Sequence, residues 1–241
     1  MLNRIYIVVG IFAILVLVAA FVVPRFIAWG DYRDRMEELA SGVLGAEVTI
    51  LGDIDFTLLP QPRLQFSEVV VGNLEEPAVT VASVEAEFSL IEFLRDQYEL
   101  TRLVLTQPVV DISIDESGLV GSGMAFAQGA GASNVSLQQT RIIDGRLRVL
   151  DIRSDRNASF DDIDGELRLA AFSGPYQFQG TGVHADQRYI VRFNTSALDA
   201  QGNSRLFALV ETREPGFSLT AEGSLVPGVA PRFDGDMTYR Q

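Results

Sequence analysis

The chain opens on an apolar run that carries no charged side chain. The run extends over nineteen residues from Ile5 to Val23, and a helix of that length spans roughly 28 Å, close to the hydrocarbon thickness of a bilayer. Trp29 follows it, and tryptophan is enriched at the membrane surface. The run predicts a membrane anchor over residues 1–28. The alternative is a cleaved signal peptide with Val18-Ala19-Ala20 at its cleavage site, although the run exceeds the usual length of a signal core.

A short amphipathic helix is predicted next. Asp31 has the side chain of an N-cap residue, and Gly45 is placed to end the helix. Apolar residues recur at helical spacing between them, at Tyr32, Met36, Leu39 and Val43. This stripe predicts packing on the sheet that follows, where the helix could also close the end of an apolar groove.

From Ala46 onward the apolar positions alternate with polar ones, as in half-buried strands. The alternation places one set of side chains on a single apolar face and the polar set on a solvated face, which antiparallel sheets allow. Between Phe66 and Val69 the parity of the apolar positions switches. Residues 29–117 are therefore predicted to form a helix and a sheet, with candidate groove residues Val48, Ile50, Ile54, Phe56, Leu58, Phe88 and Ile112.

Residues 118–134 are rich in Gly, Ala and Ser and predict a linker. Residues 135–241 alternate again, with a hairpin predicted at Asp144-Gly145 and a turn at residues 161–165. About a dozen strands in total predict a mainly β fold, an extended and twisted antiparallel meander. Because the strand pattern continues to Gln241, we expect the chain to be part of something longer.

Composition excludes several classes of chemistry. The net charge is -13, from 32 acidic and 19 basic residues, and all basic residues are Arg. Without Lys or Cys there is no Walker A loop, Schiff-base lysine, thiol nucleophile or thiolate metal site. An acidic chain also disfavours a nucleic-acid interface. We therefore expect neither an enzyme nor a protein with a metal or cofactor.

Three motifs resemble functional sites, and each fails on inspection. Gly121-Ser122-Gly123 lacks the third glycine of a dinucleotide loop, because Phe126 stands there. The acidic stretch at 161–165 does not match the ligand spacing of a calcium loop. His184, the single histidine, has Asp186 nearby but no serine nucleophile elbow in the chain. A loop or strand-end histidine is the better interpretation.

Blocks of residues in a particular order resemble the N-terminal part of the AsmA family of bacterial envelope proteins. The strongest similarity extends from Gly45 to Asp111, after an N-terminal apolar helix and a short helix with Asp31-Tyr32-Arg33. Its blocks include Gly45–Ile54, Leu58–Leu64, Val69–Asn73, Phe88–Leu90 and Leu103–Ile112.

The resemblance implies a protein of the inner membrane with its sheet in the periplasm, although the arginines that flank the apolar run mildly favour the opposite orientation. It further implies the membrane-proximal part of a bridge-like groove that transfers phospholipid in support of outer-membrane biogenesis. An acyl chain needs a continuous apolar lining, since each CH₂ left in water costs about 0.8 kcal/mol. The alternative for the groove is an ordinary core closed by a second sheet. The alternative functions are a scaffold that binds outer-membrane assembly proteins by strand-edge pairing and, least favoured, a membrane-anchored hydrolase.

Overall fold

A computed structural model of the chain describes residues 2–22, 29–93, 95, 100–117, 120–121, 137–169, 174–212, 216–226 and 231–240. The predicted linker therefore lies outside the described residues, apart from 120–121. Helix α1 extends over Leu2–Val22, a 3-10 turn over Trp29–Tyr32, helix α2 over Arg33–Leu44 and helix α3 over Leu90–Phe93.

Helix α1 carries its apolar side chains in solvent contact. Tyr6, Phe12 and Leu15 are each at least 60% exposed. No helix among the described residues is both long and apolar enough to cross a membrane. The transmembrane helix that we predicted is therefore not confirmed.

Helix α2 packs on the sheet, as predicted, but with a different stripe. Met36, Ala40 and Leu44 contact the core, whereas Tyr32 and Leu39 are more than half exposed. The N-cap is Tyr32 and not Asp31, which lies in the preceding 3-10 turn. The helix ends at Gly45 in the left-handed conformation, as predicted. The stripe differs because the helix rotates to place three of its polar side chains on the edge of the sheet.

Thirteen strands form a single sheet among the described residues. They are β1 Val48–Ile50, β2 Ile54–Thr57, β3 Arg63–Gly72, β4 Pro77–Phe88, β5 Leu100–Ile114, β6 Val120–Gly121, β7 Leu137–Asp151, β8 Arg156–Leu169, β9 Tyr176–His184, β10 Gln187–Thr195, β11 Ser204–Thr212, β12 Ser218–Val226 and β13 Arg232–Arg240. Each strand from β7 onward pairs with the next one along the chain, which is the meander that we predicted.

One pairing departs from the antiparallel prediction. Strands β5 and β7 run parallel, from the pair Leu103 and Thr140 to the pair Ile114 and Asp151. Parallel neighbours need a connection of about a dozen residues or more, and residues 115–136 lie between these two strands in the chain. The sheet is thus antiparallel with one parallel junction, at the point where the predicted linker intervenes.

Two predicted turns are instead bulges inside long strands. Asp144-Gly145 does not form a hairpin, because β7 continues through it in register with β5. Residues 161–165 likewise lie within β8. Asp144 and Asp162 have φ angles of 53° and 48°, and Glu68 and Gln107 have similar values in β3 and β5. At Asp144 and Asp162 the register with a neighbouring strand shifts, as it does at a bulge that inserts an extra residue. At Glu68 and Gln107 the register with β4 does not shift.

The tightest packing lies under α2. Six apolar residues there are only 4–7% exposed, namely Val48, Ile50, Ile54, Val69, Val71 and Val81. Trp29 and Met36 pack against them from the helical side. The core is therefore at the β1 end of the sheet, where a helix supplies a second layer.

Candidate functional site

Two rows of apolar side chains cross the sheet from β2 to β13. Residues that pair across strands point to the same side of a sheet, so the register defines each row. The first row is Phe56, Leu64, Ala86, Leu103, Thr140, Leu167, Phe178, Phe193, Ala208, Ala221 and Met237. The second is Ile54, Phe66, Val84, Leu105, Ile142, Gly165, Gly180, Val191, Val210, Leu219 and Tyr239. We call the side that carries both rows the apolar face.

The opposite side, which we call the polar face, has a different composition at the neighbouring positions. Its matching row is Asp55, Gln65, Glu85, Val104, Arg141, Glu166, Gln179, Arg192, Leu209, Thr220 and Thr238. Eleven strands at about 4.8 Å spacing make each row about 48 Å long. The two sides of one sheet therefore differ in chemistry over that whole length.

A left-handed residue accompanies the change of side-chain parity in β3. The apolar positions are Phe66 before Glu68 and Val69 after it, which are three residues apart. Strict alternation would place Val69 on the polar face, yet Val69 lies in the core against which Phe66 packs. The parity switch noted in the sequence therefore coincides with the left-handed conformation of Glu68, and Gln107 in β5 has the same conformation.

Only one end of the apolar face is covered by a helix in the described part of the chain. Helix α2 packs on β1, and the 3-10 turn packs on β2, where the Trp29 ring lies 4.8 Å from that of Phe56. From β9 to β12 the residues of the two rows are half-buried, and Met237 and Tyr239 on β13 are 66% and 57% exposed. Large apolar surface thus remains accessible away from α2.

The seven candidate groove residues divide between these regions. Val48, Ile50 and Ile54 lie in the core under α2. The other four, Phe56, Leu58, Phe88 and Ile112, are half-buried. Ile54 and Phe56 begin the two rows, whereas the remaining candidates lie beside them. Their contact with lipid stays a prediction.

The second half of the apolar face was missed as a candidate site. Phe178, Phe193, Val191 and Val210 continue both rows. The signal was present, since their strands alternate with period two. Without the register, however, no sequence argument could align these residues with Phe56 along one surface.

Two glycines shape the middle of the apolar face. Gly165 and Gly180 are register partners, and the Phe178 ring lies over both. A Cβ atom at Gly165 would approach Phe178 Cε2 to 2.8 Å, and one at Gly180 would approach Phe178 Cζ to 2.8 Å. The ring also stacks on Phe193 at 5.6 Å between centroids. The aromatic side chains therefore lie along the surface at this point.

Salt bridges neutralise much of the polar face. Arg148 Nε lies 2.6 Å from Asp111 Oδ1, and Arg63 Nη1 lies 3.2 Å from Glu85 Oε1. The Arg146 guanidinium bonds Asp161 and, with the Ser159 hydroxyl, lowers the pKa of that carboxyl below its usual range. These pairs are solvent-exposed, so each contributes little to stability. Their effect is to keep the polar face hydrated.

The acidic side chains and the single histidine do not form a metal site in the described part of the chain. No three His, Asp or Glu side chains there are placed to hold a metal ion. His184 lies at the end of β9, where its Nδ1 donates to the Ser159 carbonyl oxygen at 2.7 Å and its ring stacks on Phe160. This is the strand-end position that the sequence predicts.

Comparison with known proteins assigns the chain to a family. The sequence profile of the AsmA family matches residues 2–140, more than half of the 241 residues. The chain is a member of the AsmA family. No curated protein and no solved structure matches it significantly. The AsmA match covers α1, α2 and the sheet into the beginning of β7, so it includes the covered end of the apolar face.

Proposed function

We propose that this AsmA-family chain is the membrane-proximal part of a bridge-like lipid-transfer protein, and that the apolar face is the path of the acyl chains. The observation that carries the proposal is the pair of rows from β2 to β13. Of their twenty-two positions, only Thr140 and Tyr239 bear a polar atom in the side chain. A surface that is apolar over about 48 Å suits a long hydrocarbon chain, because any polar interruption would have to be desolvated without a partner.

The single-layer construction supports the same function. An ordinary sandwich would bury these side chains against a second sheet about 10 Å away. From β9 to β12 they are instead half-buried, with no second sheet among the described residues. An exposed apolar surface of this extent is a mark of a binding site. Phospholipid acyl chains are an occupant that matches its chemistry.

We propose the inner membrane of the envelope as the location, with the sheet in the periplasm and α1 as the attachment. Exposed apolar side chains along α1, such as Phe12 and Leu15, support membrane contact. Alkaline carbonate extraction of cell membranes tests this location. Deletion of residues 1–28 should release the sheet in soluble form, and recovery of the native protein as a soluble species that begins at Phe21 would contradict it.

Two phenylalanines offer a matched test of the lipid path. Phe193 lies on the apolar face in β10, and Phe207 lies on the polar face in the neighbouring strand β11. A photoreactive phenylalanine analogue at each position should form phospholipid adducts at 193 and few at 207, as detected by mass spectrometry of the purified protein. Equal lipid labelling at both positions would contradict the proposal. Protein adducts alone at 193 would favour the scaffold that binds outer-membrane assembly proteins.

A further inference from the structure

Several arginines of the polar face pair with a carboxylate on the same strand or on a neighbouring one. The pairs include Arg63 with Glu85, Arg146 with Asp161, Arg148 with Asp111 and Arg188 with Asp162. Among the described residues of this face, Arg141, Arg192 and Arg205 form no ion pair. Of these three, Arg141 lies where β5, β7 and β8 meet, at the parallel junction of the sheet, and it has two other arginines as neighbours.

Three arginines line one concavity at that junction. Arg102 of β5, Arg141 of β7 and Arg168 of β8 surround a space of about 240 Å³ together with Gln139, Thr140 and Glu166. Arg141 pairs in register with Val104 and Glu166. Because Arg102 and Arg168 lie two residues from those partners, both are diagonal neighbours of Arg141, at about 7–8 Å.

The charges in this concavity do not balance. Glu166 is the single acidic residue of the lining, and it lies 3.5 Å from Arg168. Arg102 reaches only Glu87, at 4.0 Å and outside the lining. Arg141 forms no ion pair with any residue that the structure describes. In a chain of net charge -13, three neighbouring guanidinium groups with only Glu166 and Glu87 beside them are a local excess of positive charge, which favours the binding of an anion.

Arginine is the residue that best suits a phosphate group. Its planar guanidinium donates two parallel hydrogen bonds to two phosphate oxygens, and three such groups can surround one phosphate. The concavity also adjoins a larger open trough of about 1150 Å³ that shares Arg141 and Glu166. Gln179, Thr181 and Arg192 line that trough together with Asp164 and Asp186, so it offers hydrogen-bond donors and acceptors to a polar group attached to the phosphate.

We propose that the polar face binds a phosphate ester at this junction. The phosphate lies among Arg102, Arg141 and Arg168, and its polar substituent lies in the adjoining trough. Two sources carry that chemistry, a phospholipid headgroup and a soluble phosphate ester. Since the site is on the side opposite the two apolar rows, the proposal is independent of the acyl-chain path.

Isotope-edited NMR of the full chain in non-ionic detergent micelles tests the site. Inorganic phosphate and glycerol 3-phosphate are titrated at constant ionic strength, and the backbone amide shifts of residues 102, 139–141 and 166–168 are followed. We expect saturable shifts there, with tighter binding of glycerol 3-phosphate. Arg141→Gln should weaken binding about tenfold, since a charge-assisted bidentate contact is lost. Arg205→Gln is the control, because Arg205 is exposed on β11 and has no ion pair among the described residues.

The outcomes separate clearly. Linear, unsaturable shifts, or equal binding by the Arg141→Gln and Arg205→Gln variants, would overturn the proposal. Arg168→Gln provides a second variant should the first alter the fold, which circular dichroism would reveal. Micelles doped with phosphatidylglycerol or phosphatidylcholine distinguish the sources. Site shifts with either phospholipid assign a lipid headgroup, and shifts with glycerol 3-phosphate alone assign a soluble ester.

Discussion

The two ends of the apolar face have the same pattern in sequence and different surroundings in space. Val69 in β3 and Val191 in β10 both occupy apolar positions of alternating strands and both point to the apolar face. Val69 is 7% exposed in the core under α2, whereas Val191 is half-buried. The exposure of the two residues differs because helix α2 packs on the first region and none of the described helices packs on the second. Period-two alternation therefore reports which side is apolar but not whether that side is closed.

Helix α2, which covers the first of these regions, is held on the sheet by polar contacts as well as by apolar ones. Glu37 and Ser41 of α2 accept hydrogen bonds from the backbone N–H groups of Ile50 and Val48, at 2.7 and 2.8 Å. Arg33 donates to the Ile50 carbonyl oxygen. These three side chains are spaced four residues apart on one side of the helix. They occupy the outer edge of β1, which would otherwise be open to pairing with another strand.

We expect the largest effect on stability from an aspartate placed at either end of the apolar face. The two variants should lose equal stability only if the two ends are equally buried. Val69→Asp buries an unpaired charge in the closed core, and we expect it to destabilise the protein by about 3–5 kcal/mol or to prevent folding. Val191→Asp should lower stability by less than half as much, because water reaches that position. Urea unfolding followed by circular dichroism measures both. Equal losses would mean that the β9–β12 region is closed as well.

Addition of a methyl group in the middle of the apolar face should cause the next largest loss of stability. Gly180→Ala places a Cβ 2.5 Å from the Asp164 carbonyl oxygen and 2.8 Å from Phe178 Cζ. We expect a loss of about 1–3 kcal/mol from overpacking, with displacement of the Phe178 ring. Thermal unfolding measures the loss, and the Phe178 ring resonances report the displacement. The control is Gly216→Ala, since no atom lies within 4 Å of a Cβ there. An unchanged midpoint for Gly180→Ala would refute the close approach.

Removal of one polar contact from the cover should have a smaller effect, confined to the covered end. Glu37→Ala leaves the buried N–H group of Ile50 without its acceptor, and we expect a cost of about 1–2 kcal/mol. Hydrogen exchange should quicken at Ile50 and Val48 and remain unchanged in β10. Glu38→Ala is the matched control, because Glu38 is exposed and pairs only with Arg35, a contact worth about 0.5 kcal/mol or less. Equal effects of the two variants would show that α2 is held by apolar packing alone.

The smallest effect is expected from a turn in the uncovered region. Backbone N–H groups of Asn203, Gln201 and Gly202 point to the Asp199 carboxylate between β10 and β11, and they lower its pKa below the usual value. The contribution of Asp199 to stability is therefore present at pH values above its unfolded pKa and is lost as the pH falls through its folded pKa. A carboxyl-shift titration should give a lower midpoint for Asp199 than for aspartate in an unstructured peptide. A midpoint equal to that of the peptide would contradict the hydrogen-bonded turn.

Several failures of prediction share one cause. Asp144-Gly145 has the composition of a hairpin turn, yet it is a bulge in β7, because β5 pairs with β7 on both sides of it, from Thr140 to Asp151. Whether a left-handed residue reverses the chain or only bends it depends on the strand beside it. The same holds for Asp162 in β8. Similarly, the sequence predicts a stripe of Tyr32, Met36, Leu39 and Val43 on α2. In the structure Met36, Ala40 and Leu44 contact the core, whereas Tyr32 and Leu39 are exposed.

The sequence by itself determined the period-two pattern, the side of each early strand that is apolar, the parity switch beside Glu68, the helix end at Gly45 and the family. These are local properties, set by the side chains of adjacent residues and by the conformations that those residues allow. Tertiary structure alone decided the parallel junction, the continuous rows from Phe56 to Met237, the cover of one end and the meeting of three arginines on the polar face. Each of these depends on register between residues far apart in the chain, and no local pattern encodes that register.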